Sequence, residues 1–85
     1  MIVSGTVQGV GFRWYAMRTA RRSGIRGWVR NRTDGKVEIV AEADTERLRK
    51  FIGEILRGYL GENIRDIEER EEDSTGPLEG FRIVP

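Results

Sequence analysis

Apolar and polar positions change period several times along the chain, and each change marks an element. Ile2 to Val7 (IVSGTV) is a short β-branched run interrupted by Gly5, which predicts a strand bent at the glycine. From Arg13 to Ser23 the period lengthens. Phe12, Ala16 and Ala20 recur at i, i+4 and i+8 with Met17 beside them, the apolar stripe of a helix that Gly24 closes. Arg26 to Arg32 and Lys36 to Glu42 then flank Thr33-Asp34-Gly35, and Asp-Gly between two runs signals a hairpin. In the second run Val37, Ile39 and Ala41 alternate with Lys36, Glu38 and Glu42, so one face is buried and the other is wet. Asp44 can cap a second helix in which Leu48, Phe51, Ile52, Ile55 and Leu56 share one face, with Gly58 as its stop.

Beyond that helix the signals weaken. Ile64 to Arg70 reads as a strand, but Ile64 and Ile67 are three apart and reach the same face only across a bulge. Glu68 to Asp73 is a dense acidic stretch suited to a solvated sheet edge. Ser74 to Pro77 reads as a turn and Phe81 to Val84 as a last strand. The order of elements predicts one α+β domain over residues 1–85, with two helices packed on one face of an antiparallel sheet of four to five strands.

Composition restricts the chemistry this frame can carry. The 85 residues include neither Cys nor His, so there is no thiolate nucleophile, disulfide framework or imidazole base. Catalysis must come from carboxylates, Arg, Lys, amides, hydroxyls or backbone, and an acidic metal cage stays open. No apolar run approaches the roughly 20 residues of a membrane span, and the expectation is a soluble cytoplasmic protein. The formal net charge of +1 conceals an asymmetry: residues 1–33 hold seven Arg and no acid, so the remainder carries 7 − 1 = 6 net negative charges. That split either points to an anionic partner for the first third or lets the two segments neutralise each other in the fold. Thirteen Arg against two Lys, with only three carboxamides, fits either a heat-adapted source or a base-composition bias of the genome.

The informative junction is Gly5-Thr6-Val7-Gln8-Gly9-Val10-Gly11-Phe12-Arg13. Amides of a glycine loop can converge on an anion, and a helix N-terminus adds free N–H groups and a favourable dipole. Arg13 at the start of that helix could hold the same anion with two hydrogen bonds. The same glycines would also serve a plain strand-to-helix turn. A Walker loop is excluded, because no Lys precedes Lys36, and the dinucleotide fingerprint would need glycine where Trp14 stands. A second group, Gly27-Trp28-Val29-Arg30-Asn31, enters the hairpin, where Asn31 is either a turn-proximal residue or a functional one.

VQGVGFR, then GWVRN about a dozen residues on, then Asp-Gly and the alternating VEIV run together closely resemble the acylphosphatases. The stretch from Gly5 to Asp44 carries the specific part, while the second helix and the closing FRIV match more loosely. The resemblance implies a ferredoxin-like α/β sandwich with one additional strand. It implies that the main-chain amides of Gln8, Gly9, Val10, Gly11 and Phe12 bind substrate phosphate, that Arg13 pairs with its oxygens, and that Asn31 orients the attacking water. The implied reaction is hydrolysis of a carboxyl-phosphate anhydride to a carboxylate and inorganic phosphate, without metal or organic cofactor. The implied partners are a small acyl phosphate and phosphate as product and inhibitor, with a monomer and no membrane expected.

Such a reaction suits a chain without His or Cys. A carboxylate leaves without a proton from a general acid, and the catalyst chiefly positions water and compensates phosphoryl charge. Asn31 can orient water but cannot deprotonate it, which leaves a substrate phosphate oxygen as the proton acceptor. Two departures from the family pattern stand out: the first strand looks trimmed, and Gly58-Tyr59 replaces the usual Gly-Pro. Trp14 and Trp28 are expected to pack. The alternatives are a noncatalytic or regulatory acylphosphatase-like domain of a larger protein, and an RNA-binding ferredoxin-like module, which nucleic-acid motifs disfavour because Val10-Gly11-Phe12-Arg13-Trp14 misses the RNP1 pattern.

Overall fold

The computed structural model describes residues 1–71 and 78–85. Strand β1 (Ile2–Gly5) is followed by helix α1 (Phe12–Arg22), the hairpin β2 (Arg26–Asn31) and β3 (Val37–Glu42), helix α2 (Thr45–Arg57), a short 3₁₀ turn (Gly61–Asn63), β4 (Ile64–Glu68) and β5 (Phe81–Ile83). The expected Ser74–Pro77 turn and the end of the acidic stretch lie outside the described residues.

Five strands form one sheet in the order β4-β1-β3-β2-β5. Each of the two strand-helix-strand units skips one strand, leaving β1 between β4 and β3; this is the split βαβ pattern of the ferredoxin-like sandwich. The pairs β1–β3, β1–β4 and β2–β3 are antiparallel, as the element order predicts. The fifth strand departs from that expectation: β5 runs parallel to β2, so the sheet is mixed. The chain between β4 and β5 crosses to the opposite edge, and such a crossing leaves no signal in the local pattern.

One face of the sheet is covered by the helices. Val3, Val29, Val37, Ile39 and Phe81 from the strands meet Phe12, Ala16, Ala20, Phe51 and Ile55 from the helices in a single core. Each large buried apolar side chain contributes roughly 1.5–3 kcal/mol relative to exposure. The β1–β4 register shifts at Ser4/Gly5, where Ser4 faces Asp66 and Gly5 faces Ile64, so Arg65 is the extra residue. This bulge brings Ile64 and Ile67 into line, and both pack against the core. Asp44 caps α2 by accepting from the Arg47 N–H at 2.8 Å. Trp14 corrects an expectation: it is 63% exposed, because α1 buries the stripe through Phe12, Tyr15, Ala16, Thr19 and Ala20. Trp28 is half-buried, with the Arg30 guanidinium carbon 5.5 Å from its ring centre.

On the open face the strand register decides which arginines remain free. Arg26 lies opposite Glu42 and Arg30 opposite Glu38, and both pairs are ion pairs, at 3.1 and 2.7 Å. Arg32 pairs with Asp34 at 3.1 Å across the turn. Three of the seven arginines in residues 1–33 are therefore neutralised by local acids.

Candidate functional site

Strands β1 and β2 run in the same direction with β3 between them, so the loop leaving β1 and the last residue of β2 reach the same end of the sheet. Val37 fixes the spacing, facing Val3 on one side and Asn31 on the other. With neighbouring strands about 4.8 Å apart, Asn31 lies about 10 Å across the sheet from Val3. The topology thus places Asn31 beside residues 6–11.

Within the loop Gly9 and Gly11 take φ of 76° and 81°, values that L side chains rarely adopt. A Cβ at either position would meet nothing within 4 Å, so conformation rather than space demands glycine there. Val7 and Phe12 are almost completely buried and pin the loop at both ends, whereas Gly9, Val10 and Gly11 are exposed. Phe12 therefore gives its side chain to the core and has only its amide to offer a ligand.

The hydrogen-bond inventory of this stretch is unusual. None of the backbone N–H groups from Gln8 to Trp14 is donated to another described residue. Gly11 caps α1 without a side-chain acceptor, and the first turn holds no acid. Most helices meet this demand with a Ser, Thr, Asp or Asn cap. Here the free N–H groups and the positive end of the helix dipole face an exposed glycine loop, a ready anion site. Arg13 is half-buried and has no ion pair or hydrogen bond to a described residue.

Asn31 shares the inner face of β2 with Gly27 and Val29. Its Oδ1 is buried and has no hydrogen-bond partner among the described residues. A buried acceptor left unmatched costs about 1–3 kcal/mol, so such an atom calls for a donor from a ligand or water. Gln8 is placed otherwise: its Nε2 donates to the Arg32 and Lys36 carbonyl oxygens at 2.7 and 2.9 Å, so the side chain is committed to the hairpin while its amide stays free. Asp34 braces that hairpin. It accepts from the Lys36 N–H, which with Arg32 holds its carboxyl below the usual carboxylate range.

The sequence residues proposed for one site are thus brought to one end of the sheet, with a loop of unspent N–H donors, an Arg13 unpaired among the described residues and a lone amide oxygen on Asn31. Among the described residues no group of three carboxylates could hold a metal ion, and no helix is long and apolar enough to cross a membrane. The side-chain link from Gln8 to the hairpin is a contact that the sequence pattern did not show, since its partners are 24 and 28 positions away.

An acylphosphatase family model matches residues 1–83. An acylphosphatase of Thermococcus kodakarensis is 46% identical over 82 residues, covering 96% of this chain and 89% of the relative. The crystal structure of the Bacillus subtilis acylphosphatase superposes with a TM-score of 0.90 at 39% identity, covering 99% of this chain and 93% of that one. Part of Thermococcus kodakarensis HypF is also similar, with a TM-score of 0.87 at 33% identity; the match covers 99% of this chain and 11% of HypF.

Proposed function

This chain belongs to the acylphosphatase family, and on that premise we propose that it hydrolyses the carboxyl-phosphate bond of small acyl phosphates in the cradle of residues 8–13. The observation that carries the reading is the set of unspent donors from Gln8 to Trp14 at the same end of the sheet as the unpartnered Asn31 Oδ1. The amides of Gln8, Gly9, Val10, Gly11 and Phe12 hold the phosphate, and Arg13 forks onto two of its oxygens. Asn31 accepts a hydrogen bond from a water and aims its oxygen at phosphorus.

In the reaction a bond forms from that water oxygen to phosphorus while the phosphorus bond to the acyl oxygen breaks. The electron pair leaves with the carboxylate, and the water proton passes to a phosphate oxygen. The carboxylate needs no general acid, so the absence of His does not obstruct the step. The loop and Arg13 compensate charge on the equatorial oxygens, an electrostatic contribution whose single donors are worth on the order of 10²- to 10³-fold in turnover.

The likeness to a portion of HypF favours a second reading, in which this domain works within a larger protein. The RNA reading loses support, because the cross-strand acids Glu38 and Glu42 neutralise Arg26 and Arg30 on the open face of the sheet. Benzoyl phosphate turnover by the pure chain, with and without EDTA, tests the proposal. Equal turnover in both is expected. No turnover by folded protein would overturn it in favour of the noncatalytic reading, and turnover lost in EDTA would overturn its metal-free mechanism.

A further inference from the structure

We propose that Gln8 is a positioning residue, whose carboxamide ties the phosphate loop to the β2–β3 hairpin and so sets Asn31 at the distance from phosphorus that water attack requires. The inference rests on the hydrolase reading above and adds to it a part for a side chain that touches no substrate. Gln8 Nε2 donates to Arg32 O at 2.7 Å and to Lys36 O at 2.9 Å. Arg32 directly follows Asn31, and Lys36 directly precedes Val37, the residue facing Asn31 in the ladder. Arg32 N also donates to Lys36 O at 2.8 Å. Gln8 therefore grips both arms of the hairpin turn, one residue beyond the end of β2 and one before β3, at the step next to Asn31.

The orientation of this amide follows from its partners. Both hydrogens of the Nε2 group meet carbonyl oxygens, and the reversed amide would set Oε1 against those same two acceptors. A carboxylate has no hydrogen to offer either carbonyl, and Asn has a stem one methylene shorter. The need for a strut is equally visible. The two left-handed glycines have open space around them, and the Asn31 side chain makes no hydrogen bond of its own to a described residue. On this short-range path, Gln8 is the side-chain link between the loop that fixes phosphate and the strand end that fixes water. A displacement of about 1 Å in such an arrangement can cost on the order of 10²-fold in rate.

Gln8→Met is neutral, close in size and without donors, and it leaves the loop amides and Arg13 in place. With benzoyl phosphate its kcat is expected to fall about tenfold to a hundredfold, while the inhibition constant of inorganic phosphate moves by less than about threefold. In an Asn31→Ala background the same substitution is expected to change kcat by less than about twofold, because no oriented water is left to misplace. Gln8→Asn provides the second variant should Gln8→Met fail to fold, and its kcat is also expected to fall, as the shorter stem cannot span both carbonyls. Unchanged kcat in a folded Gln8 variant would overturn the proposal. So would an equal fall with and without Asn31, which would mark a general structural role. Absence of turnover in the unsubstituted chain is a separate result that overturns the hydrolase reading before any substitution is compared.

Discussion

The two ends of helix α1 solve the same hydrogen-bonding problem in opposite ways. At its C-terminus Gly24, with φ of 68°, lets the chain turn back; Gly24 N donates to Arg21 O and Ile25 N to Ala20 O, while Ile25 is buried. This is the Schellman arrangement, and the chain itself closes the helix. At the N-terminus Gly11 supplies no side-chain cap, no acid stands in the first turn, and the N–H groups remain unspent.

The cations at the two ends differ for the same reason. Arg21 and Arg22 occupy the last turn, where the helix dipole is negative, and Arg21 Nε also donates to Phe81 O at 3.0 Å. A cation there gains about 0.3–1 kcal/mol. Nearby Arg47, Lys50 and Arg57 join Arg22 around a depression of about 660 Å³, accompanied by Glu54. Arg57 too stands in the last turn of its helix. Arg13 sits at the positive end, where the dipole disfavours it until an anion arrives. Residue type does not separate these arginines, whereas their place on the helix does.

The largest expected effect comes from the open end. Arg13→Gln should lower kcat/KM for benzoyl phosphate by about 10²- to 10³-fold and weaken competitive inhibition by phosphate. Asn31→Ala should remove most turnover yet preserve phosphate affinity, as measured by the inhibition constant. Equal loss of phosphate affinity in both variants would make Asn31 part of the cradle and remove its water-orienting role. The glycines offer a sharper contrast at lower amplitude. Gly11→Ala and Gly24→Ala each force a left-handed residue, at about 1–3 kcal/mol in urea unfolding, but only Gly11→Ala should also weaken phosphate binding.

Between the two ends, Tyr15 anchors α1 to α2 by donating to the Ile55 carbonyl oxygen at 2.7 Å. Burial raises its phenol above the ordinary value of 10.0. The folded state thus keeps its proton where the unfolded chain has lost it, so this stability is complete below about pH 10 and is lost as pH rises through the folded value. Denaturant unfolding from pH 8 to 11 should show that decline, and Tyr15→Phe should flatten it. The smallest expected effect belongs to the closed end. Replacing Arg22, Lys50 and Arg57 together by Gln should leave the inhibition constant of phosphate within about twofold, since these cations answer helix C-termini and solvent. A loss comparable to that of Arg13→Gln would break the distinction drawn between the ends.

The elements were largely legible because helix and strand periods are short-range signals. The stripe of α1, the Asp44 cap, the Asp34-Gly35 turn and the need for a bulge near Ile64 all fall within a few residues of the groups that cause them. Trp14 lies two residues from Phe12, on the opposite side of α1 from the Phe12/Ala16/Ala20 stripe, so the stripe rather than the size of the side chain decides that it faces solvent. The glycine loop and Arg13 could be read as a cradle or a turn, and for Asn31 the family resemblance supplied a role that local propensity did not favour.

By itself the sequence determined the alternation of elements, the donor-rich loop and the absence of imidazole and thiol, because these depend on identity and spacing over a turn or two. Tertiary structure decided the parallel docking of β5, the neutralisation of Arg26 by Glu42 and Arg30 by Glu38, the isolation of the Asn31 oxygen and the strut from Gln8 to the hairpin. Each of those depends on strand order or register, and both are set by how the whole apolar surface packs together rather than by any neighbouring residue.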